Sequence, residues 1–327
     1  MIFLIQSGRQ IFMDESKRYI FWKEQFEEVF GGENIDPREL YEKALPCFYE
    51  KYDLKEKKDI SVIGTTRQGG FPDLPESKNW PVENGKAMSF LAQINLGELE
   101  PDFAPYLPAQ GWLYFFMGEF QNWVSIPHRI LYFDGPVSQL KQTSPPEDST
   151  PPEKIYKSYA ISYLPGFTLY GKELDIILDK YFSSGDYPEN IFDYFQGETG
   201  RVGGHPMSFQ NYSEHNAYLA LNSFDLLVEY GISSKMMEHR ILRQGLEEKE
   251  PEKVHFLRTE VYPVMDKYQK NFDFHKKEMQ AVRPLFVLSS DGDEMYWGDL
   301  GFLQFFIHEN DLAARRFDRT CCGVIST

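Results

Sequence analysis

Two copies of the motif Arg-x-Gly-Gly-x-Pro hold the residues of this sequence that are best suited to bind an anion. They are RQGGFP at residues 67–72 and RVGGHP at residues 201–206. Glycine adopts positive φ and lets another segment approach closely, and proline fixes the direction in which the chain leaves. Exposed amides in such a turn, together with an arginine guanidinium, can cradle an anion. The alternative is a tight turn that is repeated only because the fold is repeated.

A candidate ligand-binding set follows from the two turns and from the apolar segment FLAQIN at 90–95. Its members offer charge, hydrogen-bonding groups or backbone amides, and they are Arg67, Gly69, Gly70, Gln93, Arg201, Gly203, Gly204 and His205. A polar turn residue is the simpler interpretation of His205. A deep cleft that gathers the two arginines, Gln93 and His205 would indicate a small-molecule binder or an enzyme.

The short motifs that identify common enzyme classes are missing from the sequence. It contains no GxSxG, no Walker loop and no GxGxxG, and its seven histidines show no HExxH or similar spacing. The acidic segment at 291–299 resembles a calcium loop, but Met295 replaces its third ligand and Phe302 its last. We therefore predict no cofactor and no metal site from local motifs, and the catalytic residues stay unknown. The sequence leans against an enzyme without deciding the point.

The chain is strongly acidic for its 327 residues. It has 50 Asp and Glu against 34 Lys and Arg, which gives a net charge of −16. Such a charge repels phosphate backbones and anionic lipid headgroups, so we expect neither nucleic acid nor a membrane surface as a partner. The charge favours solubility, and it also suits a basic protein partner.

Cysteine content and hydropathy indicate the cytoplasm. The three cysteines, Cys47, Cys321 and Cys322, are too few for a secreted disulfide framework. No apolar run reaches the roughly 20 residues of a membrane span. The apolar start MIFLI is too short for a signal peptide, and either Met1 or Met13 could be the first residue of the natural chain.

Helical and strand-forming segments are arranged in a definite order. Residues 1–60 are predicted to be a helical lead-in, because Trp22, Phe26 and Phe30 share one helix face and Asp36 is a suitable N-cap. Helices are also expected at 172–185, at 188–197 and in the charged segment 234–280. Short apolar runs bounded by Gly and Pro predict strands at 88–96, 111–117, 123–133, 284–290 and 301–307.

The repeated motif predicts an internal duplication. Each copy is followed by an apolar strand and then by Gly and an aromatic strand, GWLYFFM at 111–117 and GFLQFFI at 301–307. We expect an α+β fold in which two strand-rich half-units pack around one core, with helices at the margins. The first unit is 61–142, a Pro-rich surface loop is 143–153, and the second unit is 154–327 with the charged segment as an insertion. Segments 61–133 and 200–307 should superpose within one compact domain.

Several stretches resemble the YwqG-like family of bacterial proteins of unknown function. They are GGFPDLPESKNWP (69–81), FLAQINLGEL (90–99), LPAQGWLYFFM (107–117) and YWGDLGFLQFFIHENDLAARRF (296–317). The resemblance covers about residues 60–318 and implies a cytoplasmic α+β protein built by duplication. It also implies a binding role, since some relatives are regarded as immunity proteins that neutralise toxins. The family has no established catalytic residues.

One departure from the family concerns a glutamine that the family commonly has in the apolar strand of both halves. Gln93 keeps it in the first half, whereas Leu288 occupies the place expected to match in the second. A site that needed both glutamines would be half present in this chain.

Two functions from different classes are compatible with the sequence. The favoured one is a non-catalytic binding module, such as an immunity protein that neutralises a basic partner. The alternative is a small-molecule binder or an enzyme that uses a cleft between the two units. A contiguous acidic surface would favour the first, and a deep cleft lined by the candidate residues would favour the second.

Overall fold

Two antiparallel sheets with helices around them make this an α+β protein, as the sequence predicts. The computed structural model describes residues 15–31, 36–51, 60–100, 102–120, 125–182, 199–207, 213–291 and 294–325. The helix predicted at 188–197 and the alternative starts at Met1 and Met13 lie outside these ranges.

Fifteen strands are found in the described ranges. In chain order they are β1 (Leu45–Glu50), β2 (Arg67–Gln68), β3 (Asp73–Pro75), β4 (Val82–Glu83), β5 (Lys86–Ala87), β6 (Ser89–Asn95), β7 (Trp112–Met117), β8 (His128–Phe133), β9 (Leu140–Gln142), β10 (Tyr159–Ala160), β11 (Tyr163–Thr168), β12 (Arg201–Gly203), β13 (Val282–Ser289), β14 (Phe302–His308) and β15 (Thr320–Ile325).

The α-helices of the described ranges lie in the lead-in before the first unit and within the second unit. They are α1 (Glu15–Phe30), α2 (Pro37–Tyr41), α3 (Gly171–Tyr181), α4 (Ser213–Leu221), α5 (Asp225–Tyr230), α6 (Ser234–Gln244), α7 (Leu246–Lys249), α8 (Pro251–Phe256), α9 (Tyr262–Lys270), α10 (Phe272–Met279) and α11 (Glu309–Ala313). None of these helices is both long and apolar enough to span a bilayer.

Four strands of each sheet have the same order and the same antiparallel pairing. The five-stranded sheet runs β10-β2-β6-β7-β8, and the six-stranded sheet runs β11-β1-β12-β13-β14-β15. In each sheet the strand that begins with the motif arginine pairs with the first long apolar strand after the motif, β6 or β13, and two more strands are then added in sequence order. The shared order supports the predicted duplication, which superposition of segments 61–133 and 200–307 would test.

An irregularity in register also recurs at matching places in the two sheets. The β6–β7 register shifts between Phe90 and Ala92, and the β13–β14 register shifts between Pro284 and Phe286. A bulge adds one residue to one strand and bends it. The extra residues, Leu91 and Leu285, are both fully buried, so each bulge turns an apolar side chain into the protein interior.

The main core lies between the two sheets. Phe115 of β7 is fully buried, with its ring centre 4.6 Å from that of Phe286 and 5.0 Å from that of Phe305. The sheets also meet at their edges, where the Ile126 amide just before β8 donates to the Cys322 carbonyl of β15 at 2.9 Å. The burial predicted from sequence for Phe115 and Phe305 is confirmed, and Trp112 is only 9% exposed.

The helical lead-in is part of this core. Trp22, Phe26 and Phe30 of α1 are buried in the same cluster as the strand residues. The Trp22 indole donates to the carbonyl of Pro37 at 2.9 Å, which ties α1 to α2, and Asp36 caps α2 through the amide of Arg38. The predicted cap and helix face are therefore confirmed, although the range 1–60 also contains the strand β1.

The chain passes between the two sheets more than once. Strand β1 precedes the first unit but lies between β11 and β12 of the six-stranded sheet, and β10 follows the Pro-rich loop but pairs with β2 of the five-stranded sheet. The crossing to the second sheet falls between Ala160 and Tyr163, after the loop at 143–153. That loop runs over the surface and touches the first unit through a bridge between Lys86 and Thr150.

A helical segment inserted between β12 and β13 covers the outer face of the six-stranded sheet. Buried side chains of α4, α5, α6, α8 and α9 pack with Val282, Phe306 and Cys321 of the sheet, and the partly buried Met279 of α10 packs against them. Gly245, with a φ of 62°, ends α6, and Pro251 begins α8. The predicted insertion at 234–280 is therefore helical, and its helices begin earlier, at Ser213.

Candidate functional site

The first Gly-Gly turn is shaped by the close passage of residues 156–158. Gly69 and Gly70 both have positive φ, and a Cβ on Gly69 would lie 2.1 Å from the Lys157 carbonyl oxygen. The Gly69 amide donates to the Leu91 carbonyl and the Gly70 amide to the Tyr156 carbonyl, each at 2.8 Å. These amides are engaged within the protein, so glycine is needed here for backbone conformation and close approach.

This close approach gives a direct test of why the motif contains glycine. We expect Gly69→Ala to lower the free energy of unfolding by about 2 kcal/mol, because the methyl group meets backbone atoms at a positive φ. Gly85 is the matched control, since it has a similar φ but no atom within 4 Å of its Cβ position. Urea unfolding of both variants measures the difference. Equal losses of unfolding free energy in Gly69→Ala and Gly85→Ala would show that the positive φ alone, and not the close approach of Lys157, requires glycine at position 69.

Beneath this turn, Arg67 and Asp73 form a buried ion pair that Gln93 completes. The three residues are 2%, 0% and 0% exposed. An Nη of Arg67 contacts the Asp73 carboxylate, while the Gln93 amide group donates to the same carboxylate at 3.0 Å and to the Thr65 carbonyl at 2.9 Å. The Asp73 amide donates back to Gln93 Oε1 at 2.7 Å. Arg67 and Gln93 are thus brought together, as members of an internal network.

Asp73 also receives bonds from two further groups. The amide of Gly64 donates to its carboxylate and the hydroxyl of Tyr114 donates to its main-chain carbonyl, both at 2.7 Å. Asp73 was absent from the candidate set chosen from sequence. Its position directly after the motif proline, in the Pro-spaced segment 69–81, is the sequence signal that could have identified it.

The second Gly-Gly turn also needs glycine for its backbone conformation and for close approach, but different residues pack against it. Gly203 and Gly204 again have positive φ, and a Cβ on Gly203 would lie 2.3 Å from the Tyr106 hydroxyl. The Gly204 amide donates to that hydroxyl at 2.8 Å, and the His205 amide donates to Thr168 Oγ1 at 2.7 Å. An Nη of Arg201 donates to the His205 carbonyl at 2.5 Å.

In the second unit, Gln304 makes hydrogen bonds that correspond to those between Gln93 and Asp73 in the first unit. Met207 holds the place of Asp73 in the second motif, and its amide donates to Gln304 Oε1 at 3.1 Å. Gln304 Nε2 donates to the Met207 carbonyl at 3.2 Å. Each unit therefore fastens the residue after its motif proline with a buried glutamine, placed on β6 in one case and on β14 in the other.

The position matching Gln93 in the second half is Val287, and the assignment to Leu288 is wrong. Arg67 lies opposite Gln93, and Arg201 lies opposite Val287. Leu288 is one residue further along the strand, and its side chain therefore points to the opposite face from that of Val287. The second unit therefore keeps a glutamine, on the neighbouring strand.

A cleft of about 380 Å³ opens beside the first Gly-Gly turn. Four chain segments line it, through Ile60, Ser61, Ile63, Arg67, Gly70, Phe71, Gln142 and Ser158. Of the residues singled out from sequence, Arg67 and Gly70 line this cleft, whereas Arg201, Gly203, Gly204 and His205 do not. The lining is not shared between the two turns, and Gln142 and Ser158 were not identified from sequence.

Burial keeps the thiols and the turn imidazole uncharged near neutral pH. It raises the pKa of both Cys47 and Cys321 to about 12 and raises the pKa of Cys322 well above its usual range. Burial also lowers the pKa of His205 to about 4, against the opposing effect of its hydrogen bond to the Lys43 carbonyl. A thiol in this state is a poor nucleophile, because the thiolate is the reactive form.

The neutral state of His205 predicts a pH dependence of stability. An unfolded histidine has a pKa near 6.5, so between about pH 4 and 6.5 the unfolded chain binds a proton that the folded chain does not. Stability is therefore complete above pH 6.5 and falls as the pH drops towards 4, by roughly 2–3 kcal/mol from this residue. Chemical unfolding of His205→Gln should show a flatter profile over this range than wild type. His239→Gln, at an exposed position, should leave the profile unchanged; identical profiles for all three proteins would contradict the assignment.

No group of three or more His, Cys, Asp or Glu residues in the described ranges is arranged to hold a metal ion. The three cysteines are free and buried.

The chain is an α+β protein with two main sheets, and the repeated motif contributes one strand to each of them. The family model described as a domain of unknown function, DUF1963, matches residues 66–324, which is more than half of the chain. The chain therefore belongs to the DUF1963 family. No curated protein matches the sequence.

Proposed function

We propose that this protein is a non-catalytic binding module whose partner is a basic protein. The observation that carries the proposal is where the excess negative charge lies. Among the described acidic residues only Asp73 and Asp311 are buried, and two buried arginines, Arg67 and Arg201, offset them. Among the described residues the buried charges therefore cancel, and the excess of acidic over basic side chains lies at partly or fully exposed positions, where it attracts a cationic surface over long distances.

The state of the reactive groups supports a binding role. The motif residues best suited to chemistry, Arg67 and Gln93, are bonded to Asp73 inside the protein. His205 uses its ring and its main chain to hold the second turn. We propose that the repeated motif maintains the two units and that binding takes place on their outer surface.

The resemblance to the YwqG-like family gives this proposal a biological setting. Some members of that family are regarded as immunity proteins, and a compact acidic protein with reduced cysteines suits the neutralisation of a basic toxin in the cytoplasm. We propose the same role here, together with an origin of the two units by duplication. A toxin gene beside the gene for this protein would agree with the role.

The test is capture of a partner from the native cytosol by the immobilised protein at two ionic strengths. We expect a basic protein to be retained at low salt and released at high salt, because the screening length shortens to about 8 Å at physiological ionic strength. Nucleic acid should not be retained specifically.

A matched pair of variants serves as the control for this capture. Glu24, Glu27 and Glu28 lie on the exposed face of α1, opposite the buried Trp22. Changing all three to Lys should weaken retention, whereas changing all three to Asp keeps the charge and should not. Retention of no basic protein at low salt, or equal retention by both variants, would contradict the proposal.

The alternative function, a small-molecule binder or an enzyme, is favoured by one observation. The cleft beside the first Gly-Gly turn has the size of a small-molecule site. It lies beside one turn, whereas the sequence led us to expect a cleft between the two units. Turnover of a metabolite, with loss of activity on filling this cleft, would favour the enzyme over the binding module.

A further inference from the structure

The cleft beside the first Gly-Gly turn combines polar groups that lack a partner with an apolar wall. Arg67 Nε and Ser158 Oγ are both buried, and neither has a hydrogen-bond partner within the protein. Buried donors are almost always satisfied in native proteins, because an unsatisfied one has lost its hydrogen bonds to water without replacement. Two such atoms on residues that line one cleft indicate that a ligand completes their hydrogen bonds.

The unpartnered groups determine which ligand chemistry fits. The guanidinium Nε–H can only donate, the serine hydroxyl can donate, and the amide group of Gln142 adds donors at the rim. Asp73 engages an Nη of the same guanidinium and fixes its position. Donors on several residues that line one cleft suit an acceptor with more than one oxygen, and a carboxylate meets this need with short, charge-assisted bonds.

The remaining lining residues determine the rest of the ligand. Ile60, Ile63 and Phe71 give the cleft an apolar side, and its volume of about 380 Å³ lies in the lower part of the range for small-molecule sites. We propose that this cleft binds a small organic carboxylate with an apolar body, its carboxylate at Arg67 and Ser158 and its apolar part against the two isoleucines. The proposal goes beyond the binding of a basic protein and does not depend on it.

Isoleucine methyl NMR of the full chain tests this proposal, since two isoleucines line the cleft. Titration with 3-phenylpropionate should shift the methyl signals of Ile60 and Ile63 to saturation. The exposed Ile20 and Ile155, which do not line the cleft, should not respond. The neutral amide 3-phenylpropionamide has the same shape without the charge and should bind at least about tenfold more weakly. Inorganic phosphate is titrated separately to test whether the cleft binds anions without contacts to its apolar side.

Variants connect the signal to the proposed contacts. Ser158→Ala should weaken 3-phenylpropionate binding about tenfold, and Ile63→Trp, which fills the cleft, should abolish the shift of Ile60. Ser149→Ala is the matched control on the neighbouring loop, where the hydroxyl bonds to the Pro146 carbonyl, and it should bind like wild type. The proposal is overturned if the methyl signals do not move, if the amide binds as tightly as the carboxylate, if phosphate alone binds, or if Ser158→Ala leaves the affinity unchanged in a folded protein.

Discussion

Replacing Phe115 or Phe305 with alanine is expected to lower the free energy of unfolding by about 3–5 kcal/mol. Both rings are fully buried at the junction of the two sheets, where they pack against each other and against Phe286. Truncation removes the transfer free energy of the ring and leaves a cavity that neighbouring strands cannot close. Guanidinium unfolding of each variant measures the loss.

Phe274 provides the control for these truncations, because 59% of it is exposed on α10. Phe274→Ala should change the free energy of unfolding by no more than about 0.5 kcal/mol. Phe115 belongs to one unit and Phe305 to the other, but both rings pack in one shared core. Each variant should therefore unfold in a single transition. A loss below 1 kcal/mol, or separate transitions for the two halves, would contradict the shared core.

Asp73→Ala should destabilise the protein by a similar amount, about 3–5 kcal/mol, for an electrostatic reason. Removing the carboxylate leaves the Arg67 cation buried without its counter-ion, and it removes the acceptor for Gly64 and Gln93. The exposed pair of Arg315 and Asp134 offers a control, as Asp134→Ala should cost less than about 1 kcal/mol.

A double-mutant cycle separates loss of the ion pair from loss of packing. Arg67→Met combined with Asp73→Leu removes both charges together and should cost clearly less than the sum of the single changes. Additive losses would show that the pair is not coupled. Arg67 also lines the cleft, so a ligand bound there would change the free energy of unfolding of the variants. The cycle is therefore measured on ligand-free protein.

Local patterns predict some of the elements of this fold, but they miss others such as the strand β1 and the helices that begin at Ser213. The spacing of Trp22, Phe26 and Phe30 predicts the buried face of α1, and the runs of apolar residues at 88–96 and 301–307 predict β6 and β14. Burial on both faces of a strand produces such runs. The α+β class follows from these elements and from the charged helical segment between β12 and β13.

The arrangement of those elements depends on contacts far apart in sequence, and local patterns could not supply it. The pairing of β1 with β12 joins residues about 150 positions apart. The match of Val287 to Gln93 is visible only in the strand pairing, where Arg201 lies opposite Val287 as Arg67 lies opposite Gln93. The partners of the Gly-Gly turns, Lys157 and Tyr106, are likewise supplied by the fold.

The salt dependence of the association rate tests the proposed binding role most directly. The purified basic partner is mixed with wild type and with the variant carrying Lys at positions 24, 27 and 28, and the association rate constant is measured by stopped flow at several ionic strengths. We expect the wild-type association rate to fall by about tenfold or more between low and physiological salt, while the dissociation rate changes little. The variant should associate more slowly than wild type at low salt. An association rate that is independent of both salt and these charges would contradict the proposed function.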